Sequence, residues 1–285
     1  MKIYHTGSGI LIQHEGQYFR SAKGLTDLIN RDGLYHALLR ELVYLPVVED
    51  AGHILEKELL PPIDRQEIWA AGVTYFRSME ARMDESRESG AAVFYDQVYG
   101  AVRPELFFKS TAGRVAGNLG QVNIRADSSW NVPEPELTLY INSRGKITAY
   151  TIGNDMSSRS IEGENPLYLP QAKIYERSAA LGPCLLVLPS PLDPDTQIQM
   201  EILRAGKSIF RESVSLGRMK RSLAELADWL FRGCHFPEGC YLMTGTCLVP
   251  GDGFTLLQDD IVRITIEAIG TLVNRVGILG IPNVK

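Results

Sequence analysis

Histidine is thinly spread in this chain: of five, His5, His14, His36 and His53 precede residue 60 and only His235 follows. Cysteine is as sparse. Cys184, Cys234, Cys240 and Cys247 fall in apolar or turn contexts without a CxxC pair, which excludes a disulfide framework and the common zinc spacings. Cys234-His235 with Cys240 fits none of those patterns and reads as reduced thiols beside an isolated imidazole. No uninterrupted apolar run reaches the about 18 residues that a membrane span needs. Met1-Lys2-Ile3-Tyr4-His5 lacks the apolar core of a signal peptide, so the expectation is a cytoplasmic protein without a membrane partner. Lys and Arg are not clustered, and a net charge of -5 argues against a nucleic-acid surface. Repeats and low-complexity segments are absent. What remains is an ordinary globular enzyme composition, 45% hydrophobic and 22% charged over 285 residues, enough for one large domain and a small one.

Residues 1–60 read as a small α/β unit. Ile3-Tyr4, Gly9 to Ile12 and Gln17 to Phe19 have strand character, and Leu25 to Val43 has helical apolar spacing. Leu59-Leu60-Pro61-Pro62 then breaks the chain, and residues 61–285 form the main domain. A strand over Trp69 to Val73 leads into a highly charged segment from Ser78 to Ser89, either a solvated helix face or a cover over a site. Arg103 to Ser110 predicts a strand whose apolar run ends in Lys109, either an edge guard or a contact for a substrate carboxylate. Further strands are expected at Leu185 to Leu188, Thr196 to Leu203, Lys207 to Phe210 and Asp259 to Ile266, with a helix from Ser222 to Phe231 begun by an N-cap serine.

The most informative stretch is Pro133-Glu134-Pro135-Glu136-Leu137-Thr138-Leu139-Tyr140-Ile141. It alternates as a strand does, so Glu134 and Glu136 point to the same side. Arg144-Gly145 predicts a hairpin turn, after which Ile147 to Ile152 returns and could bring Asp155 beside the two glutamates. Like charges held that close call for a cation between them, and an all-oxygen set favours Mg²⁺, Mn²⁺ or Ca²⁺ over zinc. Spacing alone equally fits a solvated strand edge carrying two unrelated glutamates.

Five motifs then occur in an order that resembles the fumarylacetoacetate hydrolase family. They are Pro104-Glu105-Leu106-Phe107-Phe108-Lys109, Glu134-Pro135-Glu136-Leu137, Gly153-Asn154-Asp155-Met156-Ser157-Ser158-Arg159, Leu181-Gly182-Pro183 and Thr244-Gly245-Thr246. The likeness runs from about residue 61 to 277 and includes Gly270 to Asn274. Val98 to Glu105, Trp130 and Glu164 to Tyr175 are most similar to the 2-keto-3-deoxy-D-arabinonate dehydratase branch of that family. The resemblance implies an α+β, mostly β fold, a mixed β-sandwich or β-roll with a small N-terminal domain, assembled as a homodimer. It further implies Mg²⁺ held by Glu134, Glu136 and Asp155, with Lys173, Arg159, Glu162 and Thr246 facing a small 2-keto acid substrate.

One departure directs the reading. Hydrolases of the family carry a His, and a Glu three residues later, after a Gly-x-Asn-Tyr turn. Here the turn is Gly72-Val73-Thr74-Tyr75 and the two positions hold Ser78 and Ala81, neither of which takes a proton at neutral pH. An elimination enzyme fits better. A 2-keto acid offers a divalent ion two oxygens in a five-membered chelate, which favours removal of a C3 proton and makes a C4 hydroxyl a β-leaving group. Lys173 and Glu80 are the candidates for the proton transfers. The expected activity is dehydration of a 2-keto-3-deoxy sugar acid, a pentonate on the resemblance. The alternatives are a hydrolase cleaving C–C bonds of acylpyruvates or 2,4-diketo acids, and a binding protein that keeps the metal site without acid or base.

Overall fold

The computed structural model describes residues 1–75, 97–251 and 253–280. Ser78, Glu80, Ala81 and the charged segment around them lie outside these residues. Three strands open the chain, β1 (Lys2–Thr6), β2 (Gly9–His14) and β3 (Gln17–Ser21), followed by helices α1 (Leu25–Ile29), α2 (Leu34–Leu42) and α3 (Ala51–Glu58). The helical spacing of Leu25 to Val43 is thus divided in two, parted before Gly33, whose φ of 59° a continuous helix does not accommodate. Next come β4 (Glu67–Gly72), β5 (Glu105–Thr111), β6 (Val115–Ala116), β7 (Gln121–Arg125), β8 (Asn131–Val132), β9 (Pro135–Ile141), β10 (Ile147–Asp155) and β11 (Ser157–Ser158). Helices α4 (Arg159–Glu164) and α5 (Leu169–Lys173) precede β12 (Ala179–Leu186), β13 (Gln197–Arg204) and β14 (Lys207–Ser215). Helix α6 (Leu223–Phe231), β15 (Cys240–Met243), β16 (Ile261–Ile266) and β17 (Gly270–Leu279) complete the described chain.

Two sheets carry the molecule. The larger runs β3-β2-β1-β12-β10-β9-β15-β4-β5, with β6 against β12, and the smaller runs β14-β13-β16-β17-β7. Leu137, Leu139 and Ile141 of β9 face the smaller sheet and pack in one core with Ile198, Met200 and Ile202 of β13 and Val262, Ile264 and Ile266 of β16. Tyr140 lies on the other face, in a second core with Leu181, Leu185 and Tyr241 beneath Leu28, Leu34 and Leu38 of the first two helices. This gives helices, large sheet and small sheet as three layers, each buried Leu or Ile contributing roughly 1.5–3 kcal/mol. The first sixty residues contribute β1, paired through Ile3 with Leu185 of β12, and the helices that cover the sheet.

Local chemistry accounts for the boundaries. The β9–β10 hairpin turns at Arg144-Gly145, where Gly145 has a φ of 74°. Ser222 Oγ accepts the Glu225 N–H at 3.1 Å and caps α6. Strand β15 has no such signature. All four of its residues are buried, so it lacks the alternation that marks a half-exposed strand.

A single carboxylate ties the helical layer to itself. Glu41 on α2 receives Lys23 Nζ at 2.9 Å and Arg31 Nη1 at 2.5 Å. The Arg31 guanidinium chiefly pulls its acidity from the usual 4.5 to about 2. Because the folded-state value is the lower one, the stabilisation is present above pH 4.5 and is lost as the pH falls toward 2. Glu41→Gln should therefore lower the urea unfolding free energy by about 1 kcal/mol at neutral pH. The gap from wild type should close in acid; a gap independent of pH would show that the charge is not the source.

Candidate active site

Hairpin register assembles the site. In the β9–β10 ladder Glu136 stands opposite Gly153 and Pro135 opposite Asn154, and the Asp155 N–H donates to the Glu134 carbonyl at 2.9 Å. Gly153 permits this closeness: a Cβ there would lie 2.3 Å from Thr138 Oγ1 and 3.1 Å from Met243 Cε. The three carboxylates consequently converge, with one oxygen from each of Glu134, Glu136 and Asp155 mutually within 4.8 Å. They are 3%, 1% and 1% exposed. A solvated strand edge is thereby excluded, since β9 lies between β10 and β15 and is buried along its whole length.

Three cations and one backbone amide answer these charges. Lys173, at the end of α5, places Nζ against Glu134 Oε2 and 3.1 Å from Asp155 Oδ2. Arg159, the first residue of α4, donates from Nη2 to Glu134 Oε1 at 2.7 Å. Lys109 Nζ lies 2.5 Å from Asp155 Oδ1. The Gly245 N–H donates to Glu136 Oε2 at 2.6 Å, from a backbone with φ of 93°. A Cβ at Gly245 would come within 2.0 Å of Thr74 Oγ1, which makes this another position reserved for glycine. Burial, reinforced by the negative charges of Asp155 and Glu134, pushes the Glu136 carboxyl well above the usual carboxylate range. Burial also lowers the Lys109 ammonium to about 8, against the opposing pull of Asp155.

Glu134, Glu136, Asp155, Arg159, Lys173 and Thr246 line one cleft together with Ala71, Gly72, Val73 and Phe107. Thr246 Oγ1 accepts the Leu248 N–H at 3.1 Å, which leaves its hydroxyl proton to donate. Lys109 and Glu162 stand behind the wall. Lys109 is fully buried and donates to the carbonyls of Met156 and Lys173, while Glu162 accepts from Ser157 Oγ at 3.0 Å. Gly245, Phe107 and Glu105 stand in the motifs quoted above, but nothing in the sequence assigned them a role in the site. Phe107 sets its ring 5.9 Å from Lys173 Nζ. Glu105 pairs with Gly72 across β4 and β5, and a Cβ on Gly72 would lie 2.1 Å from Glu105 Oε2, so this carboxylate rests against the cleft wall. The available signal was the period-two spacing of Glu105 and Phe107 on one strand.

The donor set fits a hard divalent cation. It offers carboxylate oxygens only, converging from three buried side chains, with neither thiolate nor imidazole. Fold and site together define a β-rich enzyme scaffold with a buried carboxylate cluster able to hold a metal ion at the end of a central hairpin. The chain belongs to the fumarylacetoacetate hydrolase family: the model for "Fumarylacetoacetate (FAA) hydrolase C-terminal" matches residues 68–277. A probable 2-keto-3-deoxyxylonate dehydratase of Haloferax volcanii is 47% identical over 231 residues, covering 81% of this chain and 78% of that protein. A 2-dehydro-3-deoxy-D-arabinonate dehydratase of Saccharolobus solfataricus is 42% identical over 217 residues, covering 75% and 73%. Among solved structures, 2-keto-3-deoxy-D-arabinonate dehydratase complexed with magnesium and 2,5-dioxopentanoate superposes with a TM-score of 0.85 at 33% identity, covering 98% of this chain and 99% of the other.

The Gly245 contact yields a direct test. Gly245→Ala should cost about 1–3 kcal/mol of stability and draw the N–H away from Glu136, read as a lower melting temperature together with weaker Mg²⁺ binding by calorimetry. Wild-type values for both would mean that this amide does not hold Glu136.

Proposed function

We propose that this protein is a magnesium-dependent hydro-lyase that removes water from a 2-keto-3-deoxypentonate and yields 2,5-dioxopentanoate. The observation that carries the reading is the buried Glu134, Glu136 and Asp155 triad with Lys173 set against it, in a chain 42–47% identical to two pentonate dehydratases. A 2-keto-3-deoxypentonate keeps only C4 as a stereocentre, so the arabinonate and xylonate names of the two relatives describe one constitution. The hydrolase dyad positions, Ser78 and Ala81, support elimination over hydrolysis.

Glu134, Glu136 and Asp155 would hold magnesium, which would supply Lewis acidity to the C2 ketone and make the C3 hydrogens more acidic. The chain's own residues do the rest. Arg159, charged and lining the cleft, binds the substrate carboxylate, and the Thr246 hydroxyl donates to a substrate oxygen. A base takes a proton from C3, the electron pair forms the C3–C4 double bond, and the C4 hydroxyl leaves as water after accepting a proton. Shifts of hydrogen from C5 and its hydroxyl to C3 and C4 then give the aldehyde. Lys173 is the acid for the departing hydroxyl, because its ammonium is fully buried beside the reacting region. The base is one of two carboxylates, Glu105 against Gly72 or Glu80 outside the described residues. Glu162, behind Ser157, supports the α4 segment that carries Arg159. The family resemblance supports a homodimer. None of the four cysteines is in a disulfide, in keeping with the reducing cytoplasm, and no helix among the described residues is long and apolar enough to cross a membrane.

The first experiment incubates the protein with a 2-keto-3-deoxypentonate or an acylpyruvate, with Mg²⁺ or EDTA, and reads product mass. Loss of one water from the sugar acid, abolished by EDTA, is expected; two fragments from the acylpyruvate would instead establish a hydrolase. Glu134→Gln and Asp155→Asn should abolish turnover and Mg²⁺ binding while leaving the melting curve cooperative. Lys173→Met should lower kcat by roughly 10²–10⁴-fold, and parallel Glu105→Gln and Glu80→Gln variants identify the base by the one that loses turnover to a similar extent. Dimerisation is checked by light scattering, which should report twice the mass of the chain.

A further inference from the structure

The structure assigns to Lys109 the task of selecting the metal: by holding one oxygen of Asp155, it makes that residue a one-oxygen ligand and biases the centre toward Mg²⁺ and against Ca²⁺. The inference rests on the metal site proposed above and concerns a side chain outside the cleft.

The backbone aims Lys109 deliberately inward. In the β4–β5 ladder Ile68 pairs with Ser110 and Trp69 with Phe108, so Lys109 is the extra residue of a β-bulge. A bulge turns the side chain away from its place in the regular pleat, and here a fully buried ammonium results. Its Nζ donates to the Met156 carbonyl at 3.0 Å and the Lys173 carbonyl at 2.5 Å, and stands 2.5 Å from Asp155 Oδ1. Lys109 therefore ties β5 to the end of β10 and the end of α5, the two segments that present Asp155 and Lys173. A solvated strand end requires none of these contacts.

The same division of labour holds at all three carboxylates. Asp155 has Oδ1 against Lys109 and Oδ2 toward Lys173. Glu134 has Oε1 on Arg159 and Oε2 toward Lys173. Glu136 has Oε2 on the Gly245 amide. One oxygen of each is held by a partner of its own, Lys109, Arg159 or the Gly245 amide, and the second oxygens of Asp155 and Glu134 both face Lys173, on the side where a shared cation would sit. An ammonium pressed against one carboxylate oxygen competes with a second cation for that oxygen and so disfavours bidentate ligation. Mg²⁺ takes six oxygens in a near-ideal octahedron and is satisfied by single-oxygen carboxylates, whereas Ca²⁺ takes six to eight and commonly uses both oxygens of a carboxylate. Three single-oxygen carboxylates would therefore suit Mg²⁺ better than Ca²⁺. Arg159 makes a similar clamp on Glu134, but it lines the cleft and its replacement would disturb substrate as well. Lys109 does not line the cleft, which separates the two effects.

The test is calorimetric titration of the metal-stripped full-length protein with MgCl₂ and with CaCl₂. Lys109→Met, of similar volume and without charge, should lower the ratio of the Ca²⁺ to the Mg²⁺ dissociation constant by about tenfold or more, and Lys109→Arg should keep the ratio near wild type. An unchanged ratio in a folded Lys109→Met that binds both metals would overturn the assignment. Should that variant fail to fold, crystals of the wild type soaked in each metal decide the matter: Asp155 ligating through Oδ2 alone, with Oδ1 still on Lys109, supports it, and a bidentate Asp155 refutes it. A wild type that binds neither metal would overturn the metal centre itself, a result distinct from both.

Discussion

Mutual repulsion among Glu134, Glu136 and Asp155, buried within 4.8 Å of one another, is the constraint around which this molecule is arranged. Charges removed from water are costly unless paired and hydrogen-bonded. Lys109 arrives from β5, Arg159 from α4, Lys173 from α5 and the Gly245 amide from the loop after β15. Elements far apart in the chain thus meet because one cluster needs a donor from each. Glu134 and Asp155 each face two cations and share Lys173 between them, so the cluster couples the site to the fold.

The large sheet supplies the rigidity that such a cluster demands. Strand β9 is held on both edges, by β10 and β15, and on both faces, by the smaller sheet and by the tyrosine pair Tyr140 and Tyr241 under the first helices. A carboxylate on a strand fixed in this way has few alternative positions. The glycines at 153 and 245 extend the same logic, since each lets a neighbouring strand or loop come closer than a side chain allows. Val73, in the turn that lines the cleft, takes a φ of 54°, unusual for a β-branched residue and in keeping with strain placed at a functional edge.

Several parts of this arrangement were legible beforehand because they follow from short-range rules. Glu134 and Glu136 share a side through the pleat, Arg144-Gly145 turns the hairpin that returns Asp155, and Ser222 starts α6. Other parts were hidden for equally physical reasons. Strand β15 is buried on both faces and shows no alternation. The amide at Gly245 carries no side chain to read, and the place of Glu105 against Gly72 depends on a ladder between strands more than thirty residues apart.

The sequence by itself determined which groups are present, three carboxylates and three cations, and the strand and hairpin that carry the carboxylates, because side-chain chemistry and backbone period are local properties. Tertiary structure alone decided what each of them does. Whether Lys109 guards an edge or grips Asp155 depends on a bulge in a ladder, and which oxygen of each carboxylate is held depends on partners brought from β5, α4 and the loop after β15. Those assignments are set by packing between distant segments, which no local pattern encodes.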